Sequence, residues 1–402
     1  MSRIIEKLEW GKYVSPVTDK GVPPFNWYAF KHRFGSALVS KIFEMFGLSK
    51  GETVFDPFLG GATTFIKAKF EGYNAVGLDI LPLSVFLADT LTNTYNPAQL
   101  KKTLSRISDK IDHNVMIPDV DILKKAFSDS TLKYIYSLKK TIGTLDTSEK
   151  NFFLLGLLSI LDKASKAKKA GGFLRITDQR KAPISTVKKM FFNTCNRFIE
   201  DLNLFQFSNT KTTAILGDAR NYPNDVKKMQ YDAILTSPPY PNRHDYTRIY
   251  QLELLVGFLN SNRAVKDLRY NTLRSHVEAK KNFEIDYPRP KTLEKKMDEL
   301  KTRNLNNNQI ITTLYGYFED MYLCLREMSS VLKTGKFVGL VVSNVRFAGV
   351  MIPVDELLGE IGEQLGLQLQ GIYVLRYRGN SPQQMSKHSK ELSRESLVVW
   401  KK

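Results

Sequence analysis

Cysteine is almost missing from this chain. Cys195 and Cys324 are the only two, so neither a disulfide framework nor a paired zinc spacing can be drawn. The five histidines are scattered and form no ligand pattern; no metal is expected. No apolar run approaches the roughly 20 residues that span a bilayer. The start, Met1-Ser2-Arg3-Ile4-Ile5-Glu6, lacks the apolar stretch of a secretory signal. These shortages point to a soluble, cytoplasmic protein with no membrane partner. Acidic residues are also short: 41 Asp and Glu face 59 Lys and Arg, a net charge of +18. Such an excess suits a polyanionic partner.

The excess is concentrated. Residues 101–200 hold 20 basic and 10 acidic side chains, and Lys163 to Lys189 holds nine basic residues against Asp178 alone. A solvated helix face mixes signs more evenly, so this stretch is a candidate nucleic-acid-binding surface, with Lys166, Lys168, Lys169, Arg175 and Arg180 as its contacts. Disorder is not the explanation, since 42% of residues are hydrophobic and only 25% charged.

The chain reads as β-loop-α-β at its start. A helix with apolar positions Leu38, Ile42, Met45 and Phe46 stops at Gly47. Thr53-Val54-Phe55 is a short strand, a helix covers 63–71, and Asn74 to Leu78 is a second strand ending at Asp79. Between about Pro97 and Phe207 the period is helical, broken at Gly171-Gly172. Strands resume at Thr213 to Leu216 and at Tyr231 to Leu235. A second insertion follows, rich in Asn, Lys and Arg, in which Tyr287-Pro288-Arg289-Pro290 either enters a groove or tethers the chain. Helix 311–332 and strands 336–342, 371–375 and 396–400 close the pattern. The expected fold is α/β, a doubly wound, mostly parallel, seven-stranded Rossmann-like sheet. Residues 22–96, 208–259 and 309–402 form the catalytic domain. Residues 97–207 form a basic helical insertion that is a candidate for target recognition, and 260–308 a smaller one that is a candidate nucleic-acid contact.

Two turns carry the chemistry. Gly60 and Gly61 follow a strand and open a helix, where backbone can approach a ligand without Cβ obstruction. Asp79 lies 23 residues beyond Asp56, near the spacing of roughly 20 at which an acid meets ribose hydroxyls. Asp218 ends a third strand. Acids at three strand ends accept hydroxyl and amino hydrogens and repel phosphate, and neither the dinucleotide Gly pattern nor a phosphate loop is present. The second turn is Ser237-Pro238-Pro239-Tyr240, just beyond the apolar run Tyr231 to Leu235. Two prolines end the ladder and fix an extended turn, which brings a hydroxyl, unpaired carbonyls and an aromatic face to the carboxyl edge of the sheet.

Asp56-Pro57-Phe58-Leu59-Gly60-Gly61-Ala62-Thr63-Thr64 together with Thr236-Ser237-Pro238-Pro239-Tyr240 resembles motifs I and IV of the S-adenosylmethionine-dependent DNA amino-methyltransferases. The resemblance implies that Asp56, Phe58, the Gly60-Gly61 turn and Thr63 hold the methionine end of S-adenosyl-L-methionine. It implies that Asp79 takes the ribose hydroxyls and Asp218 the adenine amino group. Phe30-Lys31-His32-Arg33-Phe34 resembles the N-terminal motif that completes the pocket, with Lys31 and Arg33 as contacts. The likeness spans only the sheet segments, and an insertion of about 110 residues between the Asp79 and Asp218 strands departs from the usual pattern.

The turn suits an exocyclic amine, whose lone pair is delocalised into its ring. Ser237 and the Pro238 carbonyl can accept both N–H hydrogens and free that pair, while Tyr240 stacks on a base taken out of the duplex. Neither cysteine sits on a tight turn after a strand, so thiolate attack on carbon-5 is not expected. Arg243 and Arg248 would meet phosphates and His244 or Tyr246 the vacated base; the structural alternative is a helix start capped by Asp245. The reading is a site-specific duplex-DNA methyltransferase making N4-methylcytosine, with a restriction endonuclease acting on the same site as a possible partner. N6-adenine methylation is the alternative; an RNA base methyltransferase and a non-catalytic DNA-binding scaffold stay open.

Overall fold

The computed structural model describes residues 4–107, 112, 114–242, 244–283, 285–379 and 392–402. Its strands in chain order are β1 (Ile4–Glu6), β2 (Thr53–Asp56), β3 (Asn74–Asp79), β4 (Ala167–Ala170), β5 (Phe173–Ile176), β6 (Thr212–Leu216), β7 (Tyr231–Thr236), β8 (Leu332–Ser343), β9 (Val345–Phe347), β10 (Val350–Ile352), β11 (Gln368–Arg378) and β12 (Ser393–Lys401). Eight of them form one sheet in the order β1-β11-β12-β8-β7-β2-β3-β6. β6, β3, β2, β7 and β8 run parallel, and β12 is antiparallel to both neighbours. The expected seven strands are all present. The eighth is β1, which adds itself in parallel to the edge strand β11; three residues are too few to carry a readable alternation.

Alternation along the central strands sends side chains to opposite faces. Val54, Ala75, Ala233 and Leu235 enter one core, and Phe55, Val76 and Ile234 enter the other. Helices Ser36–Phe46, Thr63–Phe70 and Pro82–Thr92 cover the first face, and Ile310–Val331 and Val354–Gln364 the second. Ser36–Phe46 buries Leu38, Val39, Ile42, Phe43 and Phe46 and ends where Gly47 turns left-handed, its N–H reaching the Glu44 and Phe43 carbonyls.

The first insertion is helical as expected, with Asn96, Ser128 and Asp146 capping three of its helices through their side chains. Its helices Thr147–Ala164 and Ile184–Asp201 bury Phe152, Leu155 and Phe198 in the same core as Leu38 and Leu87 of the catalytic region. It is therefore a thickening of one face of the sheet. The Gly171-Gly172 break turns out to be the tip of a two-stranded hairpin, β4 against β5. The basic residues of that stretch hide the hydrophobic alternation by which a strand is recognised. In the second insertion, Tyr287 is buried against Tyr322 at 4.9 Å, and Arg289 lies over the Tyr315 ring. Of the two readings of Tyr287 to Pro290, tethering is the one the contacts support. Both cysteines are buried.

Candidate active site

Chain order reverses direction between β2 and β7, and the carboxyl ends of the parallel strands there open into a crevice. The crevice holds a cavity that is partly open to solvent, at the place in an open α/β sheet where ligands bind. Asp56, Phe58, Gly60, Gly61, Thr63, Asp79 and Asp218 line it, and so do Ser237 and Pro239. The two turns singled out in the sequence therefore open onto one space.

Close packing shapes the glycine turn. A Cβ on Gly61 would lie 2.9 Å from Phe30 Cβ and 3.1 Å from Arg33 Cδ, so the N-terminal aromatic segment rests directly on the turn. Gly60 has φ +48, a left-handed geometry that suits a residue without Cβ. Thr63 begins the following helix, and its buried Oγ1 has no hydrogen-bond partner among the described residues. A buried hydroxyl without a partner at a cavity wall fits a polar ligand.

Two buried acids face the same space. Asp56 Oδ1 accepts from Thr236 Oγ1 at 2.6 Å and from the Phe58 N–H at 3.1 Å, tying the end of β2 to the end of β7. Asp79 accepts from the Gly60 N–H and the Leu81 N–H, each at 2.9 Å. Burial outweighs these donors: it raises Asp56 to about 7 and Asp79 to about 6. A cation or hydroxyl donor in the cavity would favour their ionised forms.

Asp218 departs from expectation. It lines the cavity, but both oxygens are occupied: Oδ1 by the Arg220 N–H and Nε, Oδ2 by Arg220 Nη2 and Lys281 Nζ. Burial would raise its pKa, but these cationic donors win and hold it below the usual range. Its roughly four acceptor positions are filled, so in this geometry it builds the wall and has no vacancy for an adenine amine.

Ser237 Oγ donates to the Val341 carbonyl at 2.9 Å. Its single hydrogen is committed there, which leaves lone pairs for an incoming donor. Pro239 shares the cavity wall, whereas Pro238 is buried. Tyr240 is half-buried, outside the cavity lining, with its hydroxyl 3.3 Å from Ser237 Oγ and 3.4 Å from Glu395 Oε1. Its hydroxyl steadies the turn; the ring does not line the cavity.

Of the N-terminal segment, Phe30, His32, Arg33 and Phe34 line the cavity. Phe30 stacks on Tyr250 at 4.6 Å and on Tyr246 at 6.2 Å. Lys31 is not a cavity residue; its ammonium donates to the Lys169 carbonyl on the hairpin. Arg33 is held by Asp19 at 2.9 Å and by the Phe25 carbonyl at 3.1 Å, so its charge is already paired.

The expected DNA contacts divide. Lys168, Arg175 and Arg180 are exposed, and Lys168 sits directly opposite Arg175 across the hairpin. Like charges placed so are mutually unfavourable until an anion joins them. Lys169 is a correction: it is 6% exposed, bonded at 2.5 Å to the buried Glu253, and lies over the Tyr28 and Tyr250 rings. Lys166 is half-buried beneath the hairpin, its N–H on the Ala126 carbonyl. Arg248 pairs with Glu278 and with Asp245, which caps the helix start as the structural alternative supposed. Arg243 lies outside the described residues.

Two features escaped the sequence. Asn271 to His276 of the second insertion, Arg274 excepted, line the cavity, so that insertion contributes a wall to the site. Arg220 joins Asp218 to Asp320, which also pairs with Arg274. Arg220 stands two residues after a strand-end acid, the one signal that could have marked it. Among the described residues no group of acids, histidines or cysteines is arranged to hold a metal, and no helix is long and apolar enough to cross a membrane.

A crevice at the strand ends, abutting the Ser237–Tyr240 turn, fits the DNA methyltransferase class, and comparison with known proteins agrees. Residues 36–212 match the family model of D12 class N6 adenine-specific DNA methyltransferases. The chain is 31% identical to the Type II methyltransferase M.BsoBI of Geobacillus stearothermophilus, over 99% of this chain and 90% of that protein. It is 27% identical to the Type II methyltransferase M.AvaI of Nostoc sp., over 97% and 89%. With M.MvaI of Kocuria varians the identity is 19%, over 77% and 73%. The chain belongs to the Type II DNA methyltransferases.

Proposed function

We propose that this chain transfers a methyl group from S-adenosylmethionine to the N4 amine of a cytosine extruded from duplex DNA, at a specific short sequence. The observation that carries the reading is Ser237: a hydroxyl with its hydrogen spent on the Val341 carbonyl, on the wall of a cavity that also holds Asp56 and Asp79. The residues present fit the cofactor. Asp79 would accept the ribose hydroxyls, and Asp56, the Gly60-Gly61 turn and Thr63 Oγ1 would hold the methionine end. Bound there, the cofactor supplies an electrophilic sulfonium methyl.

The chain's own residues do the rest by position. Ser237 Oγ accepts one amine hydrogen, which draws the nitrogen lone pair out of the ring and makes it nucleophilic. The rigid Pro238-Pro239 turn holds that geometry without reorganising. Lys168, Arg175 and Arg180 supply phosphate contacts, and a restriction endonuclease acting on the same sequence is the expected companion.

N6-adenine methylation is a second reading, favoured by the D12 match over residues 36–212. Methylated DNA digested to nucleosides and weighed separates the two: N4-methyldeoxycytidine is expected, and a methyl found on adenine alone overturns the cytosine assignment. Ser237→Ala is expected to lose roughly 100-fold or more in turnover, the scale of one preorganised acceptor in a water-poor site, while cofactor affinity stays within about twofold. Methylation at the wild-type rate would refute the mechanism.

A further inference from the structure

His32 has φ +64, a backbone conformation that costs a residue with a Cβ on the order of 1 kcal/mol or more. Its ring packs against that of His244, with centroids 4.6 Å apart and planes tilted by 32°, and meets Tyr246 edge-on at 6.4 Å. The two imidazoles come from segments more than two hundred residues apart in sequence and line the same cavity as Ser237 and Pro239. The His244 N–H is fixed by Asn242 Oδ1 at 3.2 Å. Strain is thus retained to hold a pair of rings that no core requires.

Which end of the cavity the pair serves follows from its neighbours. The acids suited to a cofactor terminate β2 and β3. The pair instead feels Arg378, at the end of β11, and His32 also feels Glu395 of β12, the carboxylate that Tyr240 approaches. In the sheet, β12 and β11 lie across β7 from β2 and β3. The rings therefore belong to the Ser237–Tyr240 side.

Resting on the methyltransferase reading, we propose that His244 contacts the extruded target base and that His32, stacked behind it, positions the His244 ring. Burial lowers the pKa of both rings, reinforced for His32 by Lys31 and Arg378 and for His244 by His32, Arg378 and Lys31, with His244 at about 4. An uncharged imidazole offers a base both a flat face and a ring nitrogen able to accept or donate.

The test compares methylation of duplex oligonucleotides carrying the site mapped by methylation sequencing, with the target base paired or mismatched. A mismatch removes much of the cost of extrusion. His244→Ala is expected to lose at least about 30-fold in kcat/KM on the paired duplex but no more than about threefold on the mismatched one, because extrusion there needs little help from a contact to the extruded base. His32→Gly, which suits the left-handed backbone while deleting the ring, is expected to show a smaller loss of about tenfold with the same recovery. Calorimetric affinity for S-adenosylmethionine should stay within about twofold in both. Equal losses on the two duplexes, a weakened cofactor, or wild-type rates would each overturn the proposal. Failure of the wild-type enzyme to methylate any DNA would strike the functional reading instead.

Discussion

Asp79 and Asp218 occupy similar places, one ending β3 and the other just beyond β6, each on the wall of one cavity, yet their environments oppose one another. Asp79 is buried among backbone N–H donors with no cation in contact among the described residues, and burial raises it to about 6. Asp218 is half-buried, clasped by Arg220 and Lys281, and held low. The lesson is that a strand-end carboxylate is a place, and its partners decide its work. One waits for a ligand; the other is consumed by structure.

The largest test breaks the structural half. Arg220 is fully buried between Asp218 and Asp320, so Arg220→Ala leaves two carboxylates without their shared cation. A loss of about 3–5 kcal/mol is expected in denaturant unfolding, and a loss under 1 kcal/mol would show that Asp218 does not need its clasp. Asp79→Ala addresses the ligand half. Cofactor affinity should fall by about 10- to 100-fold by calorimetry, the worth of hydrogen bonds to one charged acceptor, with the fold retained.

pH sharpens the contrast. The folded chain keeps protons on Asp56 and Asp79 that the unfolded chain, at its ordinary 3.8, has already released. Their contribution to apo stability is therefore full below about 4 and is lost as pH rises through about 6 to 7. Asp218 runs the other way: its contribution is present above its unfolded value and lost as pH falls. The gap in unfolding midpoint between wild type and Asp79→Ala should narrow from pH 4.5 to pH 8; a gap that widens contradicts the assignment. Cofactor affinity should weaken in the opposite direction, as acid protonates the acceptors.

The smallest effects distinguish two adjacent lysines. Lys168→Ala should leave stability within about 0.5 kcal/mol and reduce the salt dependence of DNA binding by about one unit of slope. Lys169→Ala should do the reverse, destabilising the fold around Glu253 while leaving the salt slope alone. Matching behaviour of the two would erase the distinction between hairpin surface and buried pair.

Much of this molecule was legible from its residues. Val54-Phe55 and Ile234-Leu235 announce buried strands because apolar side chains must leave water on both faces of the sheet. The Gly60-Gly61 and Pro238-Pro239 turns are visible because glycine and proline restrict or release backbone regardless of context. Lys169 was misread because composition reports charge, and burial depends on Glu253, eighty-four residues away. Lys31 and Arg33 were assigned to the cofactor by position in a motif, while Lys169's carbonyl and Asp19 claim their charges. The hairpin tip at Gly171, and the wall from Asn271 to His276, gave no periodic signal at all.

The linear order of side chains by itself settled the parallel sheet, its helical cover, and the two turns that bear Ser237 and follow Asp56. Local sterics and solvent exclusion act over a few residues, so a reader of the chain can follow them. Folding alone decided which acid stayed available, which cations were spent inside, and that His32 would meet His244. Those outcomes depend on electrostatics and packing between distant segments, and such distances do not exist until the chain has closed on itself.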